Sequence, residues 1–275
     1  MTAQRPRIIV TRPAREAAQW VERFRVRGID ALALPLIAIV PCSTPAAQQG
    51  LAQAHAQLAQ YRAVMFVSGN AVLHFFGSNR PSALAGQALP AINTRAWSPG
   101  PGTADMLRQM GVPAQFIDGP AADAAQFDSE SLWQQVRRQI APGDRVLIVR
   151  GRSASTGAAH EPTQGNGRDW LAQQIAAAGG AVDFVVAYER AAPHFNAREL
   201  ALARQAASDG SLWLLSSSEA VAHLAQALPD QTWSAARALA THPRIAQAAR
   251  GLGFGTVQEC RPALADVLAS IESAE

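Results

Sequence analysis

The fold is decided first by residues 8–28, which read IIVTRPAREAAQWVERFRVRG. The apolar run Ile8–Val10 predicts a buried strand, residues 11–13 predict a turn, and apolar residues then recur at helical spacing until Gly28. A second strand is predicted over residues 32–40. Because strand–helix–strand units of this length favour a parallel sheet with helices on its faces, the opening of the chain predicts an α/β fold.

The same unit recurs later in the first half of the chain. Residues 63–67 predict a strand, which is followed by a turn at residues 68–70 and a helix at residues 71–76. A strand at residues 96–97 leads through a turn rich in Gly and Pro into a helix that begins at Thr103. Each predicted turn therefore follows the carboxyl end of a strand.

The second half of the chain echoes the first. Residues 146–149, followed by a turn at Arg150-Gly151 and a helix, resemble the opening unit. The segment FVSGNAV at residues 66–72 is answered by LSSSEAV at residues 215–221, and the turn before Thr103 is answered by residues 241–243. Any two α/β segments look broadly alike, but three units match in the same order, which predicts two similar lobes.

Two short proline-bearing segments, residues 41–45 and 190–193, are the candidate linkers between the lobes. Domain borders at these segments group the first unit with the last third of the chain. We therefore predict a discontinuous lobe formed by residues 1–39 and 191–275, and an inserted lobe formed by residues 40–190.

Composition limits the classes of protein to which the chain can belong. With 275 residues and 48% hydrophobic content, it is long enough for two modest domains that bury cores of their own. Its 24 Lys and Arg residues are spread in ones and twos and aromatic residues make up only 6%, whereas a nucleic-acid binder usually concentrates basic and aromatic side chains. We therefore expect no nucleic-acid partner.

A cytoplasmic location without membrane contact is expected from the apolar segments and the cysteines. The apolar run near the start is too short for a signal peptide, and no stretch approaches membrane-spanning length. Cys42 and Cys260 are far apart and belong to no CxxC pair, so we expect both to be reduced thiols.

Signatures of metal, nucleotide and hydrolase sites are absent from the sequence. It contains no GxGxxG after a strand, no GxxxxGKS/T and no GxSxG, and its six histidines do not cluster with acidic residues at ligand spacing. We therefore expect no metal site, which leaves anion binding as the chemistry to consider.

The strand-end turns are the candidate anion-binding sites. Turns rich in Ser, Gly and Thr present unpaired backbone N–H groups and the positive end of a helix dipole, which together hold carboxylates or phosphates. One such turn is more often only a helix N-cap, but four in two lobes predict one shared cleft for a small polyanion. Arginines in two corresponding turns would add charge-assisted contacts, although an arginine at a strand end is as often merely solvated. The candidate binding residues are Thr11, Arg12, Ser68, Gly69, Asn70, Gly102, Thr103, Arg150, Gly151, Ser217, Ser218 and His242.

Several short motifs occur in a fixed order over nearly the whole chain. They are TRP at residues 11–13, LPLI at residues 34–37, FVSGNAV at residues 66–72, Arg150-Gly151 with GRDWL at residues 167–171, and YER at residues 188–190. Taken in this order, the motifs resemble those of uroporphyrinogen-III synthases. The resemblance implies two flavodoxin-like lobes with parallel sheets, joined by a two-stranded linker, and a lyase that needs no cofactor.

The resemblance implies a reaction and a small-molecule polycarboxylate substrate. Hydroxymethylbilane, a linear tetrapyrrole with eight carboxylates, would lose water and close to uroporphyrinogen III with its last ring inverted. The unguided product is the symmetrical type I isomer, so the protein must hold a reactive chain in one conformation. We expect a monomer, and the resemblance leaves room for a transient handover of substrate from the upstream deaminase.

The resemblance also assigns roles to individual residues. Tyr188 matches a tyrosine near the family's cleft, where a phenol would protonate the departing hydroxyl, and a packing tyrosine at the end of a linker fits the sequence equally well. Thr103 and Ser217 match hydroxyl positions that contact substrate carboxylates. Where many members carry Gly-Pro-Thr-Thr, this chain has residues 242–245, HPRI, so a hydroxyl contact of the family is replaced. Arg244 and His242 are the candidates for the replacement, and the sequence leaves open whether they make it.

Two further points are left open by the sequence. The segment of residues 152–166 is a longer Gly, Ser and Ala-rich loop than the resemblance leads us to expect, and its composition is typical of a mobile loop.

A two-lobed binding or sensor protein that closes on an anion without chemistry remains an alternative to the enzyme. A phosphosugar enzyme is a weaker alternative, because the chain lacks the acid–base pairs that such chemistry needs.

Overall fold

The computed structural model describes residues 5–77, 93–121, 124, 126–153 and 167–273. For residues 167 and 168 it describes the backbone alone. Most of the loop that the sequence predicts to be mobile, residues 154–166, lies outside the described residues.

The chain divides into two compact units. One is formed by Met1–Ala38 together with Ala191–Glu275, and the other by Ile39–Arg190. The described strands are β1 (Ile8–Val10), β2 (Ala31–Ala33), β3 (Ala38–Pro41), β4 (Ala63–Phe66), β5 (Arg95–Trp97), β6 (Ile117–Asp118), β7 (Arg145–Ser153), β8 (Ala181–Ala191), β9 (Leu212–Leu215), β10 (Arg237–Ala240) and β11 (Thr256–Glu259). The described α-helices are α1 (Ala14–Arg25), α2 (Pro45–Ala56), α3 (Gly69–Gly77), α4 (Pro101–Gln109), α5 (Ser129–Val136), α6 (Gly167–Ala177), α7 (Ala197–Ala206), α8 (Ser218–Ala227), α9 (Pro243–Leu252) and α10 (Leu264–Glu272).

The first unit is built on a five-stranded parallel sheet in the order β11-β10-β9-β1-β2. Ile8 and Val10 of β1 share one buried cluster with Trp20 and Phe24 of α1. The helical spacing of the apolar residues in α1 thus places its buried face on the sheet. Gly28 lies in the connection from α1 to β2, and its φ of 71° is in the left-handed region that glycine accepts without strain.

The second unit is built on a six-stranded sheet in the order β3-β8-β7-β4-β5-β6. β7 is central, and its side chains alternate between two buried clusters: Leu147 and Val149 belong to one, Val146 and Ile148 to the other. An apolar run without polar alternation is the pattern of a strand that is buried on both faces. Helices α3 and α4 supply residues to the cluster of Leu147, and α5 and α6 to that of Val146.

The predicted second strand over residues 32–40 is wrong. The structure replaces it by β2, which ends at Ala33 in the sheet of the first unit, and β3, which begins at Ala38 in the sheet of the second. Pro35 has no backbone N–H and cannot continue a ladder of hydrogen bonds. The other residues between β2 and β3, Leu34, Leu36 and Ile37, are apolar and buried, so this segment resembled the continuation of a strand.

The predicted turn at Arg150-Gly151 is also wrong. β7 runs through both residues to Ser153 and stays paired with β8, with a shift of register between Arg150 and Gly151. A glycine after an apolar run is typical of a turn, but here it lies inside a paired strand. The physical reason is that the Tyr188 ring of β8 occupies the space where a side chain at position 151 would lie.

The predicted fold class, α/β with parallel sheets in two lobes, is confirmed. The two-stranded linker stays a prediction. Within the described residues, no helix is long and apolar enough to cross a membrane, and no group of three or more His, Cys, Asp or Glu side chains is arranged to hold a metal ion.

Candidate functional site

The turns after β4 and β5 lie side by side in the second unit, because these strands are neighbours in its sheet. A Cβ atom on Gly69, at the start of α3, would lie 3.7 Å from the backbone oxygen of Gly102, at the start of α4. Backbone N–H groups in the first turn of a helix lack intrahelical partners, and the helix dipole makes this end positive. The two adjacent N-termini therefore form a surface suited to carboxylates.

The predicted site residues of these two turns differ in exposure. Ser68 is half-buried and caps α3, since its Oγ accepts a hydrogen bond of 3.2 Å from the backbone N of Ala71. Asn70 follows in the first turn of α3 and is also half-buried, whereas Gly102 is exposed. Thr103 is buried in the first turn of α4. Of these residues, Gly102 is thus the most accessible to a ligand and Thr103 the least.

Tyr188 of β8 lies next to Ser68, although 120 positions separate them in the chain. The phenol oxygen is 3.2 Å from Ser68 Oγ, and either hydroxyl can donate. The tyrosine side chain is buried in the apolar cluster that covers α3 and α4. Its ring lies against Gly151 of β7, at the place where any other residue would carry a Cβ atom. The structure therefore brings Ser68, Gly151 and Tyr188 together.

His74 of α3 lies beside the same tyrosine. The ring centroids of His74 and Tyr188 are 5.7 Å apart, with the planes tilted by 32°. Burial lowers the pKa of His74 below its ordinary value of 6.5, so the imidazole is neutral at pH 7. The phenol thus has a hydroxyl and a neutral ring as neighbours. No motif in the sequence marks His74, because helical spacing alone assigns it to packing.

An ion pair between buried Glu189 and half-buried Arg152 lies next to this site, on β7 and β8. Glu189, 4% exposed, accepts a hydrogen bond of 2.7 Å from Arg152 Nη2 and one of 2.9 Å from the backbone N of Ser43. Burial acts to raise the pKa of Glu189, but the hydrogen bonds from Ser43 and Arg152 outweigh it and the pKa lies below the ordinary value. Sequence reasoning missed this pair. Its partners lie on separate segments of the chain, so no local pattern points to it.

The turn after β1 in the first unit holds Thr11 and Arg12. Thr11 is buried, and its hydroxyl donates a hydrogen bond of 2.7 Å to the backbone oxygen of Leu214. The Arg12 guanidinium lies 4.5 Å from the ring centre of Trp20 and 3.5 Å from the carboxylate of Glu16. Burial lowers the pKa of Arg12, and Glu16 opposes this effect. Thr11 thus joins two strands, and Arg12 is held by packing as well as by charge.

The turns after β9 and β10 carry the other candidates of the first unit. These strands are neighbours, so their carboxyl ends meet at one edge of the sheet. Ser217 Oγ accepts a hydrogen bond of 3.4 Å from the backbone N of Ala220, and Ser218 is the first residue of α8. His242 Nδ1 accepts one of 3.1 Å from the backbone N of Arg244, which caps α9. Both His242 and Arg244 are exposed.

Arg150 does not share the surroundings of Gly151. Its guanidinium lies 4.8 Å from the ring centre of Phe184, and successive residues of a strand point to opposite faces of the sheet. Arg150 therefore lies on the other face of the sheet from the Tyr188 ring. The prediction that it occupies a turn corresponding to that of Arg12 is wrong, although both arginines stack on an aromatic ring.

Comparison with known proteins identifies the family. The family model described as "Uroporphyrinogen-III synthase HemD" matches residues 18–269. The chain belongs to this family. A porphyrin biosynthesis protein HemD from Ruminiclostridium josui is similar over 149 residues at 26% identity, a match that covers 54% of this chain and 27% of that relative. The chain thus corresponds to little more than a quarter of that relative's length.

One solved structure described as a uroporphyrinogen-III synthetase shares the fold of this chain. The uroporphyrinogen-III synthetase of Helicobacter pylori 26695 is similar over 99% of this chain and all of its own, with a TM-score of 0.57 at 16% identity. A mutant uroporphyrinogen III synthase of Thermus thermophilus is similar over 98% of both chains, with a TM-score of 0.46 at 17% identity. The family resemblance predicted from the sequence motifs is confirmed by the family model, which matches residues 18–269.

Proposed function

We propose that the protein is a uroporphyrinogen-III synthase, a lyase that closes hydroxymethylbilane to uroporphyrinogen III with loss of water. Membership in the family supports this activity. The single observation that carries the chemistry is the phenol of Tyr188, held 3.2 Å from Ser68 Oγ at the N-terminus of α3. In this position the Tyr188 phenol is a proton donor next to a surface suited to carboxylates.

The strand-end turns bind the carboxylates of the bilane. In the second unit, the adjacent N-termini of α3 and α4 supply backbone donors around Gly69 and Gly102. In the first unit, the N-termini of α8 and α9 supply donors, and exposed Arg244 adds a positive charge beside His242. These contacts hold the bilane in the one conformation that leads to the type III isomer. Without the contacts, the bilane would reach this conformation rarely.

Tyr188 is the acid of the first step. The phenol gives its proton to the terminal hydroxyl, the C–O bond breaks as the pyrrole nitrogen donates electrons, and water leaves. The Ser68 hydroxyl then donates to the phenolate, and the N-terminus of α3 stabilises the negative charge. Attack by the substituted carbon of the last ring gives a spiro intermediate. Its rearrangement and closure release one proton, which restores the phenol.

The experiment that tests this proposal supplies hydroxymethylbilane, formed in situ by the upstream deaminase, and separates the oxidised products by chromatography. The type III isomer is expected to predominate when the protein is present and type I when it is absent. A product ratio equal to that of the protein-free reaction would contradict the proposal and favour the alternative of a non-catalytic anion-binding protein. The cytoplasmic location, the monomeric state and the handover from the deaminase stay predictions.

A further inference from the structure

The pairing of β7 with β8 contains a bulge next to the proposed acid. Arg150 is opposite Val186, but Gly151 is opposite Tyr188, so Ala187 is an extra residue on β8. A bulge of one residue turns the following side chain to the opposite face of the sheet. Accordingly, Val185, Ala187 and Tyr188 all belong to the same buried cluster. Without the bulge, the tyrosine would face away from α3 and Ser68.

Gly151 supplies the space for the tyrosine ring on that face. A Cβ atom on Gly151 would overlap Cζ, Cε2 and Cδ2 of Tyr188. Gly151 is not among the glycines with positive φ, so its backbone accepts any residue and only the ring excludes a side chain. Position 151 therefore requires glycine because it has no side chain, and not because of its conformational freedom.

The pair that follows Gly151 and Tyr188 stabilises the register of β7 and β8 beyond the bulge. Arg152 is opposite Glu189, and their side chains form the ion pair of 2.7 Å. Glu189 also accepts from the backbone N and the hydroxyl of Ser43. A slip of one residue would leave the buried carboxylate of Glu189 without its partner, so this change of register costs more free energy than the loss of an apolar contact.

We infer that the bulge at Ala187 and the empty side-chain position of Gly151 together aim the Tyr188 phenol at Ser68. This inference rests on the proposed function, and it changes the role predicted for Gly151. Gly151 is a positioning residue that acts through the tyrosine, and it does not itself bind a substrate carboxylate.

The test is a Gly151→Ala variant assayed for formation of the type III isomer. Its kcat is expected to fall about tenfold or more with little change in KM, because the displaced phenol still leaves the carboxylate contacts intact. The matched control is Gly50→Ala in α2, where a Cβ atom meets nothing within 4 Å, and this variant should keep the kcat of the unaltered protein. Thermal unfolding of both variants is followed in parallel.

A double-variant cycle separates positioning from a direct role. In a Tyr188→Ala background no ring remains to collide with a Cβ atom, so adding Gly151→Ala should change the residual kcat by less than about twofold. An equal fall in both backgrounds would overturn the inference, since Gly151 would then act independently of the tyrosine. An unchanged kcat in the single variant would overturn it as well.

A spectroscopic measurement makes the inference independent of activity. The chain has two tyrosines, Tyr61 and Tyr188, so labelling tyrosine rings with ¹³C gives two sets of NMR signals, and Tyr188→Phe assigns them. Gly151→Ala is expected to shift the Tyr188 signals and leave those of Tyr61 in place. Unshifted Tyr188 signals would overturn the inference. If the unaltered protein forms no type III isomer, the proposed function fails while this measurement still decides the positioning of the ring.

Discussion

The two units use the same helix cap in different surroundings. In the first unit, Ser217 Oγ caps α8 through the backbone N of Ala220. In the second unit, Ser68 Oγ caps α3 through the backbone N of Ala71 and also bonds to the phenol of Tyr188. Both tyrosines of the chain belong to the second unit. The same serine cap therefore becomes a candidate reaction centre only in the second unit, where a neighbouring strand adds a proton donor.

The largest effect on stability is expected from the ion pair of the second unit. Glu189→Gln removes one charge of a pair in which Glu189 is buried and Arg152 is 28% exposed. Loss of one partner from a fully buried pair costs about 3–5 kcal/mol, and we expect about 2 kcal/mol here because Arg152 keeps some contact with water. Denaturant unfolding measures the change. Asp30→Asn, which breaks the exposed Arg7–Asp30 pair of the first unit, is the control and should cost less than about 1 kcal/mol.

The stability lost in Glu189→Gln is expected to depend on pH. The pKa of Glu189 is lowered in the folded protein, so its contribution is fully present above the unfolded value of about 4.3 and is lost as the pH falls through the folded value. The stability difference between the unaltered protein and Glu189→Gln should therefore be constant near neutral pH and shrink in acid. A difference that grew in acid would contradict the assigned direction.

The two serine caps give the sharpest comparison between the units. Ser68→Ala and Ser217→Ala each remove one helix cap, which costs about 0.5–2 kcal/mol of stability, so each controls for the other. Ser68→Ala should also lower kcat about tenfold, because the phenol loses its hydroxyl partner. Steady-state kinetics measure this effect. Similar kcat values for the two variants would remove the distinction between the units.

The smallest effect is expected in the first unit. Ser217→Ala should raise KM about threefold and leave kcat unchanged, because a contact made equally in the ground and transition states affects binding alone. A fall in kcat as large as that of Ser68→Ala would show that the first unit takes part in the chemical step.

The sequence predicted the strands and helices better than the boundaries between them. Apolar runs such as Ile8–Val10 and the helical spacing around Trp20 reflect burial, which acts on each segment separately. The break at Pro35 was missed because the residues around it stay buried after leaving the sheet. Whether an apolar residue is buried by a strand or by a connection depends on the rest of the fold.

The candidate site could be predicted in its parts but not in its arrangement. Ser68, Gly151 and Tyr188 were each selected, from a turn pattern or from the family resemblance. That Gly151 makes room for the tyrosine ring follows from a bulge in the partner strand, which no local pattern reveals. The Arg152–Glu189 pair was missed for the same reason, since its geometry depends on strands β7 and β8 meeting in one register.

Whether Tyr188 is the acid of the reaction is tested by the turnover of Tyr188→Phe with saturating hydroxymethylbilane, combined with isomer analysis of the product. This variant keeps the ring over Gly151 and removes only the phenol proton. A positioned general acid contributes about a hundredfold or more, and the push from the pyrrole nitrogen places our expectation at the lower end of that range. We predict a kcat lowered about a hundredfold, with KM nearly unchanged and type III still the main product. Full turnover with the same isomer ratio would contradict it, because Tyr188 would then be a packing residue.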